Sequence, residues 1–262
     1  MASAPQATLP LFYNDLMPLN SRDHANWRSR PMEAAGFLKG QHAIPLTVDE
    51  FVQAQRTLPI VFTTGPNPLP LALMGLNEGV NTFVDAEGKI NDPVYLPAYV
   101  RRYPYLLARL SEEAEELSLC FDPSAEAIGA YSEGQQLFEA DGQPSELTKQ
   151  ILQFCENFEQ AGQRTQTFMQ ELLEHDLLMD GEIAISVNDN PDQPFVYRGF
   201  QMVNQDKLRE VKADQLATWN TSGFMMLVHA HIFSLELMRD IFARQVNQGT
   251  APQPNAVPAP AA

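Results

Sequence analysis

The chain has 262 residues, 44% of them apolar, which is enough to bury a sizeable core as one large domain or two small ones without disulfides or metals. Its formal charge of −16 is uneven: residues 1–110 carry 9 Lys+Arg against 9 Asp+Glu, so the whole acidic excess lies in 111–262. Such a field repels phosphate backbones and anionic lipid surfaces, which argues against nucleic acid as a partner.

In chain order, residues 1–10 are rich in Ala, Pro and Gln without periodicity and read as a disordered tail. They lack the basic start and apolar stretch of a secretory signal, so the expected location is the cytoplasm. Arg22, His24, Arg28 and Arg30 around Trp27 read as a surface loop over a packed indole. From residue 43 the pattern turns to strands at 43–47, 58–63 and 69–76, with a short helical piece at 48–56 whose Asp49 and Glu50 suit its positive end. Residues 80–85, the turn 85–88 and the residues after Lys89 read as a hairpin, with Gly88 supplying the positive φ. A mostly antiparallel sheet follows.

Pro97 opens and Pro104 interrupts a helix of at most about two turns at 98–103. Glu112, Glu113, Glu115 and Glu116 read as a solvated face, and 117–121 as a strand. The longest helix starts near Ser145, with Leu147, Ile151, Phe154, Cys155, Phe158, Phe168, Met169, Leu172 and Leu173 spaced by threes and fours and Gly162 as a bend or break between its halves. Strands follow at 182–187 and 195–203, joined by a turn-forming set at 188–193. A core helix spans 223–246, and 247–262 is a second, Pro/Ala-rich disordered tail. The most apolar window, 224–238, is interrupted by His229, His231, Ser234 and Glu236, so no membrane span is expected.

The chain carries no Gly-x-Ser-x-Gly elbow, phosphate loop, dinucleotide fingerprint or His-Glu-x-x-His, and the acids near 180–192 lack the order of a calcium loop. His229 and His231, two apart on a helix, diverge by about 200° and cannot share an ion. His229, Glu236 and Asp240 fall along one side of that helix, either as a His-carboxylate stripe or as an ordinary polar one. Cys120 and Cys155 fit neither a redox pair nor a zinc set and read as small buried hydrophobes. No catalytic residue, metal or cofactor is therefore expected. What stands out is the density of phenol and guanidinium at Tyr99, Arg101, Arg102, Tyr103 and Tyr105, which with His42 form the candidate set for binding a ligand or partner. The alternative is that the aromatics fill core while the arginines neutralise the glutamates at 112–116.

His42-Ala-Ile-Pro-Leu, Pro59-Ile-Val-Phe62, Leu73-Met-Gly-Leu76, Asn81-Thr-Phe-Val-Asp85, Gly88, the run from Tyr95 to Tyr105 and Leu117-Ser-Leu-Cys-Phe-Asp122 together resemble the bacterial SapC family, named for a protein associated with surface layers. The resemblance runs from about Leu11 to the end of the last helix. Relatives tend to have Trp after the hairpin glycine and Phe after the last proline, where this chain has Lys89-Ile90 and Tyr105. The resemblance supplies no agreed catalytic residues. It implies a genomic setting beside outer-membrane TonB-dependent receptors, flavin-dependent halogenase-like proteins and cupin-like oxygenases.

The expectation is an α+β protein: a largely antiparallel sheet packed by two long helices, as one domain over 11–246 or as two packed halves, 11–143 and 144–246. Its expected role is a non-catalytic cytoplasmic binding or accessory protein of a surface-layer or nutrient-uptake system, recognising a peptide or protein partner. The competing expectation is an enzyme, or an obligate subunit acting with a flavin- or iron-dependent oxygenase, marked by a deep pocket gathering His42, the arginines and a carboxylate. Self-association as a homo-oligomer is the third.

Overall fold

Short apolar runs punctuated by proline and glycine fold into the short antiparallel strands and helices of an α+β protein, described over residues 9–32, 34–91, 93–111, 116–187 and 190–252 in a computed structural model. The chain forms two compact units, each from two separate stretches: unit 1 from Met1–Phe37 and Val100–Gln160, unit 2 from Leu38–Tyr99 and Ala161–Ala262. The two are interleaved along the chain, whereas a division near residue 143 would make them consecutive.

Strands β1 (Met17–Pro18) and β2 (Arg28–Ser29) lie in unit 1. The chain then enters unit 2 with β3 (Ala43–Pro45), a 3-10 turn at Val48–Glu50, α1 (Phe51–Ala54), β4 (Ile60–Phe62) and β5 (Pro70–Leu73). The turn at 85–88 forms with Gly88 at φ 85, but the expected hairpin reduces to a single bridge, Val84 with Ile90. After the one-turn helix α2 (Ala98–Arg101) come β6 (Tyr105–Ala108), β7 (Ser118–Phe121), β8 (Ile128–Gly129) and β9 (Gln135–Gln136) of unit 1. Of the expected glutamate face, residues 112–115 lie outside the described residues.

Helix α3 (Glu146–Glu174) is 29 residues long and continuous. The break expected at Gly162 is absent, because glycine weakens a helix by only about 1 kcal/mol and the buried Ala161, Thr165, Phe168 and Met169 hold the adjoining turns. Unit 2, which resumes at Ala161 within α3, continues with β10 (Leu178–Asp180), β11 (Ile183–Val187), β12 (Asn190–Tyr197), β13 (Gln201–Val203), α4 (Gln205–Arg209) and α5 (Ala213–Ser222). Residues 188–189 of the expected turn lie outside the described residues. The expected last helix is two, α6 (Phe224–Ser234) and α7 (Met238–Asn247), joined by a 3-10 turn at Leu235–Leu237. Gly223, at φ 83, makes the left-handed step between α5 and α6 that other residues resist. Of the two expected tails, 1–8 and 253–262 lie outside the described residues, while the Thr250 N–H donates to Gln245 O at 2.8 Å, carrying order past the end of α7.

In unit 1, β1, β7 and β6 form one antiparallel sheet in that order, and β8, β2 and β9 another. Phe121, Leu137, Tyr105 and Cys155 are buried among Trp27, Leu147 and Ile151. The "surface loop" is thus partly core: His24 is buried, 4.5 Å from the Trp27 ring. In unit 2 the order is β10-β13-β4-β5-β3, all antiparallel, with β11 and β12 as a separate hairpin packed by Phe200, Met238 and Phe242. β13 meets β4 at one register pair, Gln201 with Phe62. Side chains of α6 satisfy the backbone groups there: His231 Nδ1 contacts Ile60 O at 2.8 Å, Val203 N–H donates to His231 Nε2 at 3.1 Å, and Ile60 N–H donates to Ser234 Oγ at 2.9 Å. No helix among the described residues is long and apolar enough to cross a membrane.

Candidate functional site

The Tyr/Arg segment is held at both ends by buried carboxylates. Glu50, 5% exposed, accepts the Thr47 N–H at 3.0 Å and Thr47 Oγ1 at 2.8 Å on one oxygen. Its other oxygen accepts the Tyr95 hydroxyl at 3.0 Å and the Ala98 N–H at 2.5 Å, fixing the first residue of α2. In unit 1, the fully buried Asp122 accepts the Asn14 N–H at 2.8 Å, the Ser124 N–H and hydroxyl at 2.8 and 2.7 Å, and the Tyr103 hydroxyl at 3.5 Å. A buried carboxylate is stable only when its lone pairs are this well occupied.

Within unit 1 the Tyr103 and Tyr105 phenols are interior. Tyr103 packs on Phe37 with ring centres 4.4 Å apart and planes tilted by 40°, and it meets Tyr13 edge-on at 5.2 Å. The Tyr13 hydroxyl donates to Tyr105 O at 2.7 Å. Burial pushes the Tyr103 phenol up to about 12, with Asp122's charge adding to it, and pushes Tyr105 up to about 12 as well. Both stay protonated near neutrality, so neither serves as a base.

The guanidinium groups lie along a groove of unit 1, about 340 Å³, whose floor is Leu147, Ile151 and Phe154 of α3. Arg30, Arg101 and Arg102 line it together with Tyr103 and Tyr105, and none of its described lining residues is acidic. Each guanidinium lies over an aromatic ring: Arg30 on Tyr131 at 3.6 Å, Arg101 on Phe154 at 5.3 Å, Arg102 on Phe158 at 4.2 Å. Arg102 is 8% exposed and pairs with Glu159 at 3.6 Å, while Arg101 is exposed. These contacts place three guanidinium groups along the groove, and guanidinium is the side-chain group that pairs carboxylates through several donors. Cys155 also lines the groove, but burial pushes its thiol up to about 11, which leaves it unreactive at neutral pH.

The structure thus gathers Arg101, Arg102, Tyr103 and Tyr105 in one groove of unit 1. Tyr99 is buried in unit 2, and His42 lines a different cavity of that unit. Arg30, which the sequence places in a surface loop, joins the groove because β2 carries its neighbours Arg28 and Ser29 between β8 and β9. Glu159 had no signal beyond its place on the polar side of α3. On α6 His229 stacks with Phe233 at 5.8 Å, while Glu236, in the 3-10 turn that follows, pairs with Arg239 of α7 at 3.8 Å. No group of three or more His, Cys, Asp or Glu among the described residues is placed to hold a metal ion.

Residues 19–241 match the model of the SapC family. No curated protein and no solved structure matches the chain.

Proposed function

The chain belongs to the SapC family, and we propose that it is a non-catalytic binding protein whose unit 1 groove captures a segment of a peptide or protein partner bearing carboxylates. The observation that carries this reading is the convergence of Arg30, Arg101 and Arg102 on one groove with Leu147, Ile151 and Phe154, each guanidinium lying over an aromatic ring and Arg102 balanced by Glu159. Carboxylates of the partner meet the Arg forks, and its apolar side chains cover Ile151 and Phe154. An accessory role in surface-layer or outer-membrane nutrient uptake belongs to the same proposal and draws on the family resemblance.

Fluorescence polarisation with two labelled peptides tests it: one alternating Leu and Glu, the other with Gln in place of every Glu. The acidic peptide binds the full-length protein, and the Gln peptide binds at least about tenfold more weakly, since each charge-assisted contact is worth about 1.5–3 kcal/mol. Arg30→Ala and Arg101→Ala each weaken the acidic peptide and leave Tm unchanged. Equal binding of the two peptides, or binding by neither, overturns the reading.

A further inference from the structure

Unit 2 contains a cavity of about 280 Å³ that the peptide groove does not involve. Its apolar lining comes from the sheet and what packs on it: Val61, Leu71, Leu73, Phe200 and Met238. Two polar rings share that lining. The half-buried imidazole of His42 makes no hydrogen bond with any described residue, and burial lowers its affinity for a proton, with Glu78's charge opposing. The buried Tyr197 hydroxyl likewise has no partner among the described residues, and burial pushes it up to about 12. The Tyr197 hydroxyl is sealed from the cavity, so the His42 ring is the group that faces it, and a hydrogen-bonding molecule seated against Val61, Leu73 and Phe200 completes the site.

The charge of that molecule is constrained too. Arg198 lines the cavity, but its Nε donates to Glu182 Oε2 at 2.7 Å and its terminal nitrogen pairs with the same oxygen at 2.7 Å. No acid lies among the described lining residues to receive a cation, and the guanidinium is already engaged against an anion. Glu182 already neutralises Arg198, so an anionic ligand gains little from it, and a cationic one meets no acid among the described lining residues.

We propose that this cavity binds a small uncharged molecule with an apolar, ring-sized body and one hydroxyl or carbonyl group that hydrogen-bonds the His42 imidazole. A ligand hydroxyl donates to the unprotonated ring nitrogen, or a ligand carbonyl accepts from the ring N–H. The size fits a single six-membered ring with a substituent.

The probe pair is phenol and benzoate, which share a ring and differ in charge. Each is titrated into the full-length protein at pH 7.5 and followed through the methyl resonances of Leu71, Leu73 and Met238. Phenol gives saturable shifts, and benzoate binds roughly tenfold more weakly or less. His42→Phe keeps a ring at that position but weakens phenol by about fivefold or more, as loss of one hydrogen bond requires. Ala43→Leu fills the cavity from β3 and abolishes saturation; should it lower Tm, the His42→Phe comparison decides. Phenol shifts that never saturate, an unchanged affinity in His42→Phe, or benzoate binding as tightly as phenol each overturn the proposal.

Discussion

His231 shows how much one side chain contributes to this fold. Its ring stacks on Phe62 at 4.6 Å, and both nitrogens are committed to backbone, the N–H of Nδ1 to Ile60 O and the lone pair of Nε2 to the Val203 N–H. Protonation would set one N–H against another, and burial lowers the folded-state pKa to about 4 from 6.5, with the Ile60 contact opposing. Below 6.5 the unfolded chain takes up a proton that the folded chain refuses. The stability contributed by neutral His231 is therefore complete above pH 6.5 and is lost as pH falls towards 4. Urea unfolding at pH 7.5 and at 4.5 checks this. His231→Phe keeps the ring but leaves two buried backbone groups unpaired, costing about 3 kcal/mol at pH 7.5, and it removes this part of the pH dependence. A variant with wild-type stability, or with an unchanged pH slope, contradicts the role. From the sequence, His229 and His231 were separable by helical geometry alone. That His231 closes a strand seam was not legible, because its partners stand 171 and 28 positions away.

Elements were legible where periodicity was long. The threes and fours of α3 mark its buried face, and proline and glycine delimit β3, β4 and β5. Helices α4 and α5 were missed because their apolar positions are few; α4 starts from the Asn204 side chain, which accepts the Asp206 and Lys207 N–H groups. Gly162 misled for the opposite reason: a weak former suggests a break, yet the helix around it is packed. Thr165 shows that packing, its hydroxyl donating to Ala161 O at 2.7 Å while accepting the Val48 N–H at 3.0 Å. Gly162 itself is exposed and helical, and an added Cβ there meets nothing within 4 Å. Gly162→Ala therefore stabilises the protein by about 0.5–1 kcal/mol through the lower entropy of its unfolded chain. Thermal unfolding reads this as a rise in Tm of a few degrees, and a fall in Tm would mean that the helix needs its glycine.

At the scale of the molecule, unit membership was hidden from sequence, since the compact units are assembled from stretches far apart in the chain. Charge, by contrast, was readable from the start, and it sets a condition on the peptide groove. The formal charge of −16 repels an acidic segment at long range, while Arg30, Arg101 and Arg102 attract it only across the groove. These opposing forces have different reach, so salt separates them. At about 0.01 M ionic strength the Debye length is about 30 Å and the net charge is felt; at about 0.1 M it is about 10 Å, and the repulsion is screened before the groove contacts are. The association rate constant of the Leu/Glu peptide should therefore rise between those two concentrations, and only above them should the dissociation rate increase as the guanidinium contacts weaken. Stopped-flow polarisation measures both. An association rate that falls steadily from the lowest salt would mean that the approaching peptide meets a positive field, which this charge distribution does not provide unless the cations dominate well beyond the groove.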